Sequence, residues 1–489
     1  MKNHETFVSL DIGTTSIKVV VAEYINGQVN ILGVGNEKSR GMSRGVVVDI
    51  DETVASIQRA VRQAEEKANR KITQVAVGVP SNQLMIEESH GMVAVSSQNK
   101  DIQPTDVANV IEATKVKSVP PEREILSIIP EEFIIDSING IVDPIGMIGV
   151  RLELYASLFT GPRTIIHNIR RCVEKAGLTI NELVIQPQAI AEVALSPDER
   201  EFGTVVIDMG GGQTSVGIIY GNQLKYTFVD QEGGDFITKD ISVILNTSME
   251  SAERIKREYG YALPEETSSE EYFPVETIGR PEPVRVDEHY LSEIINARLA
   301  QIFETIYEDL KQIDALDLPG GFVITGGGAS LQGVLEMAQQ YFGPNVRMYV
   351  PHQMGIRNPI FTTSMGILEY VANLDQINRI AQVPSRARTE AKVSQQERFE
   401  WDQPSPQQVY EEPETKESEP SINKQLFNRP SLKTSRKSQE ETYDSYSDYS
   451  KYSNEEDMSS DISYDEIPEP VKEEGFAGKV RSFFDSFFN

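Results

Sequence analysis

The chain has 489 residues, of which 75 are acidic and 46 are basic, giving a formal net charge of -29. At about 150 residues per domain, this length predicts roughly three domains or subdomains with room for a sizeable core. The acidic balance excludes a general nucleic-acid coat, because neutralising phosphates requires a basic face, and we expect no nucleic-acid partner. One cysteine, Cys172, and five histidines argue against a disulfide scaffold, a cysteine-based metal cluster and a zinc site.

The composition and the hydrophobic pattern of the sequence change along the chain. The N-terminus has no apolar signal core and no window of eighteen apolar residues, so we expect an intracellular chain without a membrane-spanning helix. From about residue 8 to residue 374, apolar runs alternate with amphipathic stretches, as in an α/β protein. Residues 376–474 are rich in Ser, Gln, Glu, Pro and Lys, which predicts a disordered acidic linker. The linker is expected to be an inert spacer, and the tyrosines of residues 443–452 allow an adhesive patch as the alternative.

The last fifteen residues, 475–489, predict an amphipathic helix. Six apolar side chains fall on one stripe of that helix: Phe476, Val480, Phe483, Phe484, Phe487 and Phe488. So short a helix needs a surface to fold on, and exposed phenylalanines on a solvated tether would drive aggregation. We therefore expect a membrane-targeting helix that lies in the lipid interface. Docking on the globular part and binding in a partner's groove are the alternatives.

A strand, a tight turn and a second β-rich run occupy residues 7–21 and predict a hairpin. Gly13 lets a ligand approach the backbone, while Thr14 and Thr15 offer amides and hydroxyls to phosphate oxygens. Asp11, at the end of the strand, is placed to hold a metal ion through water. Lys18 is a further candidate contact for the cofactor. Taken alone, this motif could also be an ordinary polar turn.

Residues 204–219 repeat the order strand, Asp, glycine turn, Thr/Ser and strand about two hundred residues later. The candidate cofactor contacts in this repeat are Asp208, Gly210, Gly211, Gly212, Gln213 and Thr214. Two such hairpins facing each other would hold the phosphates of ATP and a hydrated Mg²⁺ from both sides of a cleft. In that arrangement Asp11 and Asp208 contact the metal through water.

A third motif follows a buried strand at residues 321–325. Its glycine cluster would let a base and ribose lie flat against the main chain, with the next helix directed towards the phosphates. The candidate contacts are Gly326, Gly327, Gly328 and Ala329.

In this order the three motifs resemble the superfamily of actin, hexokinase and heat-shock chaperones, and the whole chain is more specifically similar to the FtsA family of bacterial cell-division proteins. The resemblance implies an α/β, actin-like two-lobed ATPase fold that binds ATP and Mg²⁺. The space before the strand at residues 72–80 is too short for the 1B subdomain of actin. About eighty residues after Pro80 look instead like a 1C-type inserted subdomain, with a helix near residues 105–115 and strands near 125–135 and 152–159.

The resemblance also implies the domain boundaries. We expect the following order: lobe 1 (1A) in 1–80, the 1C-like insertion in 81–160, lobe 1 again in 161–200, lobe 2 (2A) in 201–227, a 2B-like subdomain in 228–318, lobe 2 again in 319–358, a closing helix of lobe 1 in 359–375, the linker in 376–474 and the amphipathic helix in 475–489.

Four further site residues follow from the same resemblance. Gln186 stands where a water-positioning residue is expected, although a polar helix cap is equally consistent with it, and Asp208 would hold the metal or the water. Gly234, Glu253 and Lys256 resemble the elements on the nucleoside side. The spacing of Glu253 and Lys256 places both on one helix face, where a plain surface ion pair is the alternative.

The function that the resemblance implies is a filament-forming membrane adaptor. ATP between the lobes, hydrolysed slowly at most, would control self-association, and the tail would hold the polymer on the cytoplasmic side of the membrane at the division septum. The expected partners are late division membrane proteins and the C-terminal peptide of the tubulin-like protein FtsZ, which would bind the 2B-like region. Candidate basic contacts for this acidic peptide are Lys256, Arg280, Arg285 and Arg298.

Three other functions within the superfamily were weighed. A small-molecule kinase needs a catalytic Asp over a substrate hydroxyl, and no pattern points to one. A chaperone needs a β-rich peptide-binding domain, which does not follow Leu374. A pilus-assembly actin-like ATPase shares the 1C-type insertion, but the long linker and amphipathic tail argue against it.

Overall fold

The computed structural model describes residues 5–25, 28–115 and 119–381. The amphipathic helix expected at 475–489 and the linker beyond residue 381 lie outside the described residues. None of the helices in those three ranges is long and apolar enough to span a membrane.

The first lobe begins with five strands and a helix, which are followed by a sixth strand. These elements are β1 (Glu5–Ile12), β2 (Ser16–Ile25), β3 (Gln28–Lys38), β4 (Met42–Ser43), β5 (Val46–Val47), α1 (Ile50–Ala68) and β6 (Gln74–Val79). Helix α1 starts where Asp49 accepts a hydrogen bond from the amide of Glu52 and ends at Asn69 in the left-handed conformation. Gly35 in β3 lets α1 pack closely, because a Cβ there would lie 1.9 Å from the carbonyl oxygen of Ala60.

An inserted domain follows β6 and has its own antiparallel sheet. Its elements are β7 (Met85–Ala94), α2 (Pro104–Thr114), β8 (Arg123–Ile135), β9 (Ile138–Ile141) and β10 (Arg151–Pro162). The strand order is β7-β10-β8-β9, and α2 packs on this sheet through Val107, Val110 and Ile111. The helix and strands predicted for this region are therefore present.

The chain then returns to the first lobe through four elements: α3 (Arg163–Lys175), β11 (Thr179–Ile185), α4 (Gln186–Ala194) and α5 (Pro197–Phe202). Strand β11 completes a five-stranded sheet of order β11-β6-β1-β2-β3. In this sheet β1, β6 and β11 run parallel, whereas β2 and β3 are antiparallel additions. Cys172 of α3 is buried in the core between α1, α3 and this sheet, as expected for a packing residue.

The second lobe repeats the same topology. Its elements are β12 (Thr204–Met209), β13 (Thr214–Tyr220), β14 (Gln223–Asp230), α6 (Gly234–Ile244), α7 (Met249–Tyr259), β15 (Tyr272–Val275), β16 (Val284–Asp287), α8 (Glu288–Gln312), β17 (Phe322–Thr325), α9 (Val334–Phe342) and β18 (Val346–Met348). The strand order β14-β13-β12-β17-β18 matches the first sheet strand for strand. The two lobes are thus two copies of one architecture, and the turns after β1 and β12 occupy equivalent places.

The last two helices are α10 (Thr362–Asn373) and α11 (Gln376–Ala381). Helix α10 packs on α4 and on β1 of the first lobe. Helix α11 corrects the start of the predicted linker, because residues 376–381 are helical and not linker. Ile377 and Ala381 are buried in the core of the inserted domain, so tertiary packing orders a segment whose own hydrophobicity is low.

Candidate functional site

A cleft of about 1210 Å³ lies between the two lobes. Its walls are the turns that follow β1, β12 and β17, the start of α6 and one face of α7. Both phosphate hairpins predicted from the sequence therefore open into one space, and the third glycine motif adjoins them. The size suits a nucleotide, which is larger than many small-molecule ligands.

The turn after β1 is closed by a hydrogen bond from the amide of Gly13 to the carbonyl oxygen of Ser16, at 3.2 Å. The turn after β12 has the same closure, from the amide of Gly210 to the carbonyl oxygen of Gln213 at 3.0 Å. A Cβ at Gly13 would lie 2.9 Å from Ser16 O, and one at Gly210 would lie 2.7 Å from Gln213 O. Side chains are excluded at both positions, so both backbones are open towards the cleft.

Asp11 is buried and both of its carboxylate oxygens are held. Lys18 Nζ lies 3.0 Å from Oδ2, and Gln186 Nε2 donates a hydrogen bond to Oδ1 at 3.0 Å. Lys18 is itself buried, so the ion pair is shielded from solvent. The charge of Asp11 is therefore fixed in place at the floor of the cleft.

Asp208 stands at the end of β12, opposite Asp11. Burial raises the pKa of Asp208 to about 6, and repulsion from Asp11 adds to the rise, while Lys18 opposes it. A buried carboxyl whose proton affinity is raised by a neighbouring carboxylate lies at a site where a cation is favourable. The pair therefore fits a divalent metal between the lobes.

The two turns approach each other closely. A Cβ on Gly211 would lie 1.7 Å from the hydroxyl oxygen of Thr15, and one on Gly212 would lie 2.6 Å from the methyl carbon of Thr14. The buried hydroxyl of Thr15 has no hydrogen-bond partner among the residues that the structure describes. A buried hydroxyl without a partner is costly, so this one suits a ligand oxygen.

The glycines after β17 pack against the strand that carries Asp208. Gly326 adopts a φ of +92°, and a Cβ there would lie 2.3 Å from Asp208 Oδ1. A Cβ on Gly328 would lie 3.0 Å from the carbonyl oxygen of Met209. Only glycine at position 326 permits both the backbone angle and this distance.

Helix α6 begins at the second turn. The amides of Gly234 and Asp235 donate to the carbonyl oxygens of Gly210 and Gly211, at 3.0 Å and 2.8 Å. The amide of Phe236 donates to the carbonyl oxygen of Gly233 at 3.0 Å, so these first three amides are bonded within the protein, and the helix contributes the positive end of its dipole beside the cleft. This end of α6 therefore favours an anion.

Glu253 and Lys256 of α7 form an ion pair of 2.7 Å that lines the cleft. Lys256 Nζ also donates to the carbonyl oxygen of Gly234 at 2.8 Å and to the hydroxyl of Thr238 at 2.7 Å. Burial opposes the charge on Glu253, but Lys256, Thr238 and Arg257 together hold its pKa below the ordinary value. The pair is thus part of the cleft wall.

Most of the predicted cofactor contacts line the cleft. Thr214 and Ala329 do not line it, and the side-chain amide of Gln213 is engaged within the protein. Thr214 is buried and its hydroxyl donates to the carbonyl oxygen of Glu232 at 2.9 Å, while Ala329 is fully buried behind the glycines. Gln213 lines the cleft, but its amide is bonded to Asn82 of the inserted domain. These side chains support the turns from within the protein.

Sequence reasoning missed several residues of the cleft, which come from segments without a phosphate-type motif. They are Asn36, Lys38, Gly45, Asp235, Thr238, Arg254, Arg257, Gln332, Asn358 and Ile360. Asp235 and Thr238 could have been found from the helical spacing after Gly234. The others are brought in by tertiary packing, for which the sequence gives no local signal.

Comparisons with known proteins agree with this geometry. A family model described as cell division protein FtsA matches residues 205–366, and one described as the SHS2 domain inserted in FTSA matches residues 81–160, the segment predicted as the insertion. The chain is 55% identical over 428 residues to the cell division protein FtsA of Enterococcus hirae, covering 86% of this chain and 97% of that protein. It is 56% identical over 417 residues to the FtsA of Enterococcus faecalis, covering 84% and 95%.

A solved structure, the PilM-PilN type IV pilus biogenesis complex, aligns with a TM-score of 0.53 and 16% identity, covering 76% of this chain and 99% of that one. A likeness at this identity concerns the fold alone, and with the duplicated sheet topology it supports the predicted actin-like α/β fold with an inserted domain. The identities to the Enterococcus proteins show the family as well as the fold, because they extend over nearly the whole length of those relatives. The chain belongs to the FtsA family of actin-like cell-division proteins.

Proposed function

We propose that the chain binds ATP with Mg²⁺ in the cleft, self-associates into filaments and holds FtsZ at the membrane of the division septum. The observation that carries this proposal is the meeting of two glycine turns around the facing carboxylates of Asp11 and Asp208. Open backbone amides suit phosphate oxygens, and paired carboxylates suit a hydrated cation.

In this proposal the residues of the cleft have different roles. In each turn the glycine amide closes the turn, and the residues between the two ends of that bond offer their backbone to the phosphates, while the start of α6 adds the positive end of its dipole. Lys18 holds the carboxylate of Asp11 in place through their 3.0 Å contact. Bound Mg²⁺ supplies positive charge beside Asp11 and Asp208, which offsets their repulsion. Gln186, bonded to Asp11, is placed to orient a water molecule for slow hydrolysis.

The nucleoside would lie farther along the cleft, against α7 and the glycines after β17. Glu253 is ionised and offers carboxylate oxygens, which suit ribose hydroxyls. Gly327 and Gly328 leave a flat main-chain surface for the base. This division places the phosphates between the lobes and the sugar on the second lobe.

The second lobe is also the proposed docking site for the acidic C-terminal peptide of FtsZ. Two of the four basic candidates are engaged inside the protein, because Lys256 bonds within the cleft and Arg298 pairs with Asp240 and Glu232 at 2.6 Å and 2.9 Å. Arg280 and Arg285 are exposed around the hairpin of β15 and β16, where Arg285 lies over the ring of Tyr272. They are the basic pair to which we now assign the peptide.

Attachment to the lipid surface is assigned to residues 475–489, and late division membrane proteins are assigned as further partners. The test is to mix the full chain, and a chain that ends at residue 474, with ATP and lipid vesicles and to examine both by electron microscopy. Filaments on vesicles that require both ATP and the tail support the proposal. Filaments that form equally without the tail, or no ATP dependence, would overturn it.

A further inference from the structure

The hairpin of β4 and β5 reaches from the first lobe across the mouth of the cleft. Its two turn residues, Arg44 and Gly45, have φ angles of 47° and 74°. Two consecutive left-handed residues are typical of the tight turn that joins two-residue hairpins. The sequence motifs did not include this hairpin, and the nucleotide contacts proposed above do not use it.

The backbone at Gly45 contacts both phosphate-type turns. Its amide donates a hydrogen bond to the hydroxyl oxygen of Thr14, in the turn after β1, at 2.9 Å. A Cβ at Gly45 would lie 2.5 Å from Oε1 of Gln213, in the turn after β12. Gly45 is therefore wedged between one turn from each lobe, and its lack of a side chain is what permits the contact.

A buried pair of amides joins the same point to the root of the inserted domain. Asn82 Nδ2 donates to Gln213 Oε1 and Gln213 Nε2 donates to Asn82 Oδ1, each at 3.0 Å, and Asn82 Nδ2 also donates to the carbonyl oxygen of Arg44 at 3.2 Å. Asn82 and Gln213 are only 6% and 8% exposed. Separating the lobes would break both bonds between these buried amides and leave their carbonyl oxygens without the partner each has here, which is unfavourable until water replaces it.

The side chain of Arg44 makes the outermost contact. Its guanidinium carbon lies 5.2 Å from the ring centroid of Phe236, within the range of a cation–π interaction. Phe236 belongs to α6, the helix whose first turn faces the cleft. The ring is also approached by Arg298, at 5.8 Å, which is itself held by Asp240 and Glu232. Arg44 thus joins the first lobe to a firmly held part of the second.

We propose that Arg44, Gly45, Asn82, Gln213 and Phe236 form a clasp that holds the two lobes closed over the phosphates and so slows nucleotide release. The proposal rests on the proposed nucleotide function of the cleft. Two contacts of the clasp stay on one side of the cleft: the bond from Gly45 to Thr14 and the bond from Asn82 to the Arg44 carbonyl. The other contacts cross from the first lobe or the insertion to the second lobe. Opening the cleft breaks these crossing contacts, whereas none of the five side chains needs to touch the nucleotide.

The clasp makes Arg44 and Asn82 positioning residues, and the first measurement is the release rate of a fluorescent ATP analogue, followed by stopped flow on the full chain. Removing an exposed cation–π contact by Arg44→Ala should speed release about two- to fivefold. Arg44→Lys keeps a cation over the ring and should restore part of the difference. Arg62→Ala is the matched control, because Arg62 is an exposed arginine on α1 of the same lobe, and it should leave release unchanged.

A double-mutant cycle separates the clasp from a general loss of stability. Phe236→Leu alone should speed release to a similar extent as Arg44→Ala, and the two changes together should do little more than either one. Asn82→Ala should speed release about tenfold, because it removes both hydrogen bonds that the buried side chain of Gln213 makes with Asn82. Additive effects of Arg44→Ala and Phe236→Leu, or unchanged release in both Arg44→Ala and Asn82→Ala, would overturn the clasp.

Hydrogen exchange without nucleotide tests the clasp independently of ATP. The amide of Gly45 and the first turn of α6 should exchange faster in Arg44→Ala and Asn82→Ala than in the unmodified chain and in Arg62→Ala. If the unmodified chain fails to bind the ATP analogue, the proposed function of the cleft falls, and this exchange difference still decides whether the clasp exists. Equal exchange in all four proteins would show that the hairpin does not hold the lobes together.

Discussion

The side-chain amide of Gln186 donates a hydrogen bond to Asp11 across 3.0 Å, although the two residues are 175 positions apart in the chain. Gln186 is the first residue of α4, and Asp11 is the next-to-last residue of β1. The helix start thereby places an amide beside the carboxylate that we assign to the metal. A helix cap would instead direct this side chain to its own backbone.

This contact predicts a separation of hydrolysis from binding. Gln186→Ala should lower the rate of phosphate release in a single turnover by about tenfold or more, because the water loses its orienting group. The affinity for ATP should stay within about threefold, since the glycine turns are untouched. The melting temperature without nucleotide checks that the fold is intact. An unchanged hydrolysis rate in a folded variant would show that Gln186 has only a structural role.

The exposed basic pair of the second lobe predicts how FtsZ binds. Arg280→Glu with Arg285→Glu should weaken binding of the FtsZ C-terminal peptide about tenfold or more at low salt, and the difference should shrink as salt screens the charges. Fluorescence anisotropy with a labelled peptide measures both. Arg62→Glu with Arg70→Glu adds the same charge to exposed positions of the first lobe and should have little effect. Equal losses in both double variants would mean that net charge alone governs binding.

Replacing the half-buried carboxyl of Asp230, at the end of β14, should stabilise the folded protein by an amount that depends on pH. Burial raises its pKa from 3.8 to about 6, and the neighbouring charge of Glu232 adds to the rise. The folded protein therefore binds this proton more tightly than the unfolded chain, and the ionised form disfavours folding at higher pH. Asp230→Asn should stabilise the protein at pH 8 by about 1 kcal/mol after allowance for solvent screening.

The gain should be smaller at pH 5 and should vanish below pH 3.8, where the carboxyl is protonated in both states. Urea denaturation at pH 8 and pH 5 measures the difference. Asp317→Asn, at an exposed position before β17, is the control. A larger gain at pH 5 than at pH 8 would have the wrong sign and would contradict the assignment.

The tail predicts membrane binding that is mainly apolar. Burying each phenylalanine at the lipid interface is worth about 1.5–3 kcal/mol before ordering costs, whereas Lys479 and Arg481 are offset by Asp485 and the terminal carboxylate. Phe484→Asp with Phe487→Asp should release the chain from vesicles and leave ATP affinity unchanged. The matched control, Ser482→Asp with Ser486→Asp, adds the same charge to the opposite side of the helix predicted from the sequence and should retain binding in a vesicle sedimentation assay.

Binding of the unmodified chain should respond only modestly to salt. A collapse at moderate salt would show that electrostatic attraction holds the tail, contrary to this reading. Retention of the double Phe variant on lipid would likewise place the membrane contact outside these residues.

The sequence allowed the phosphate-type turns to be located because their signal is local. A carboxylate at a strand end followed by a glycine turn, as at Asp11 and Asp208, has the same meaning wherever it occurs in this fold. The insertion could be placed because the resemblance to the FtsA family implies it and too few residues precede the strand at 72–80 for a subdomain there. The pair Glu253 and Lys256 was likewise implied by the resemblance, and helical spacing puts both on one face.

The contacts that were missed depend on tertiary packing. Gly45 lies in the cleft only because its hairpin folds over the turns at Thr14 and Gln213, and nothing in residues 42–47 indicates those neighbours. Likewise, the composition of residues 376–381 resembles the linker, yet Ile377 finds a buried place in the inserted domain. Local propensity is too weak to predict either case.

The central claim is that the facing turns bind ATP with Mg²⁺, and calorimetric titration of Mg²⁺ and ATP into the full chain tests it most directly. Asp11→Ala removes a carboxylate from the metal site, and Gly210→Val places a side chain where the turn has no room. Each should weaken binding by more than tenfold, or about 1.4 kcal/mol. Asp317→Ala, outside the cleft, should bind as the unmodified chain does. Unchanged affinity in both cleft variants would contradict the two-turn site.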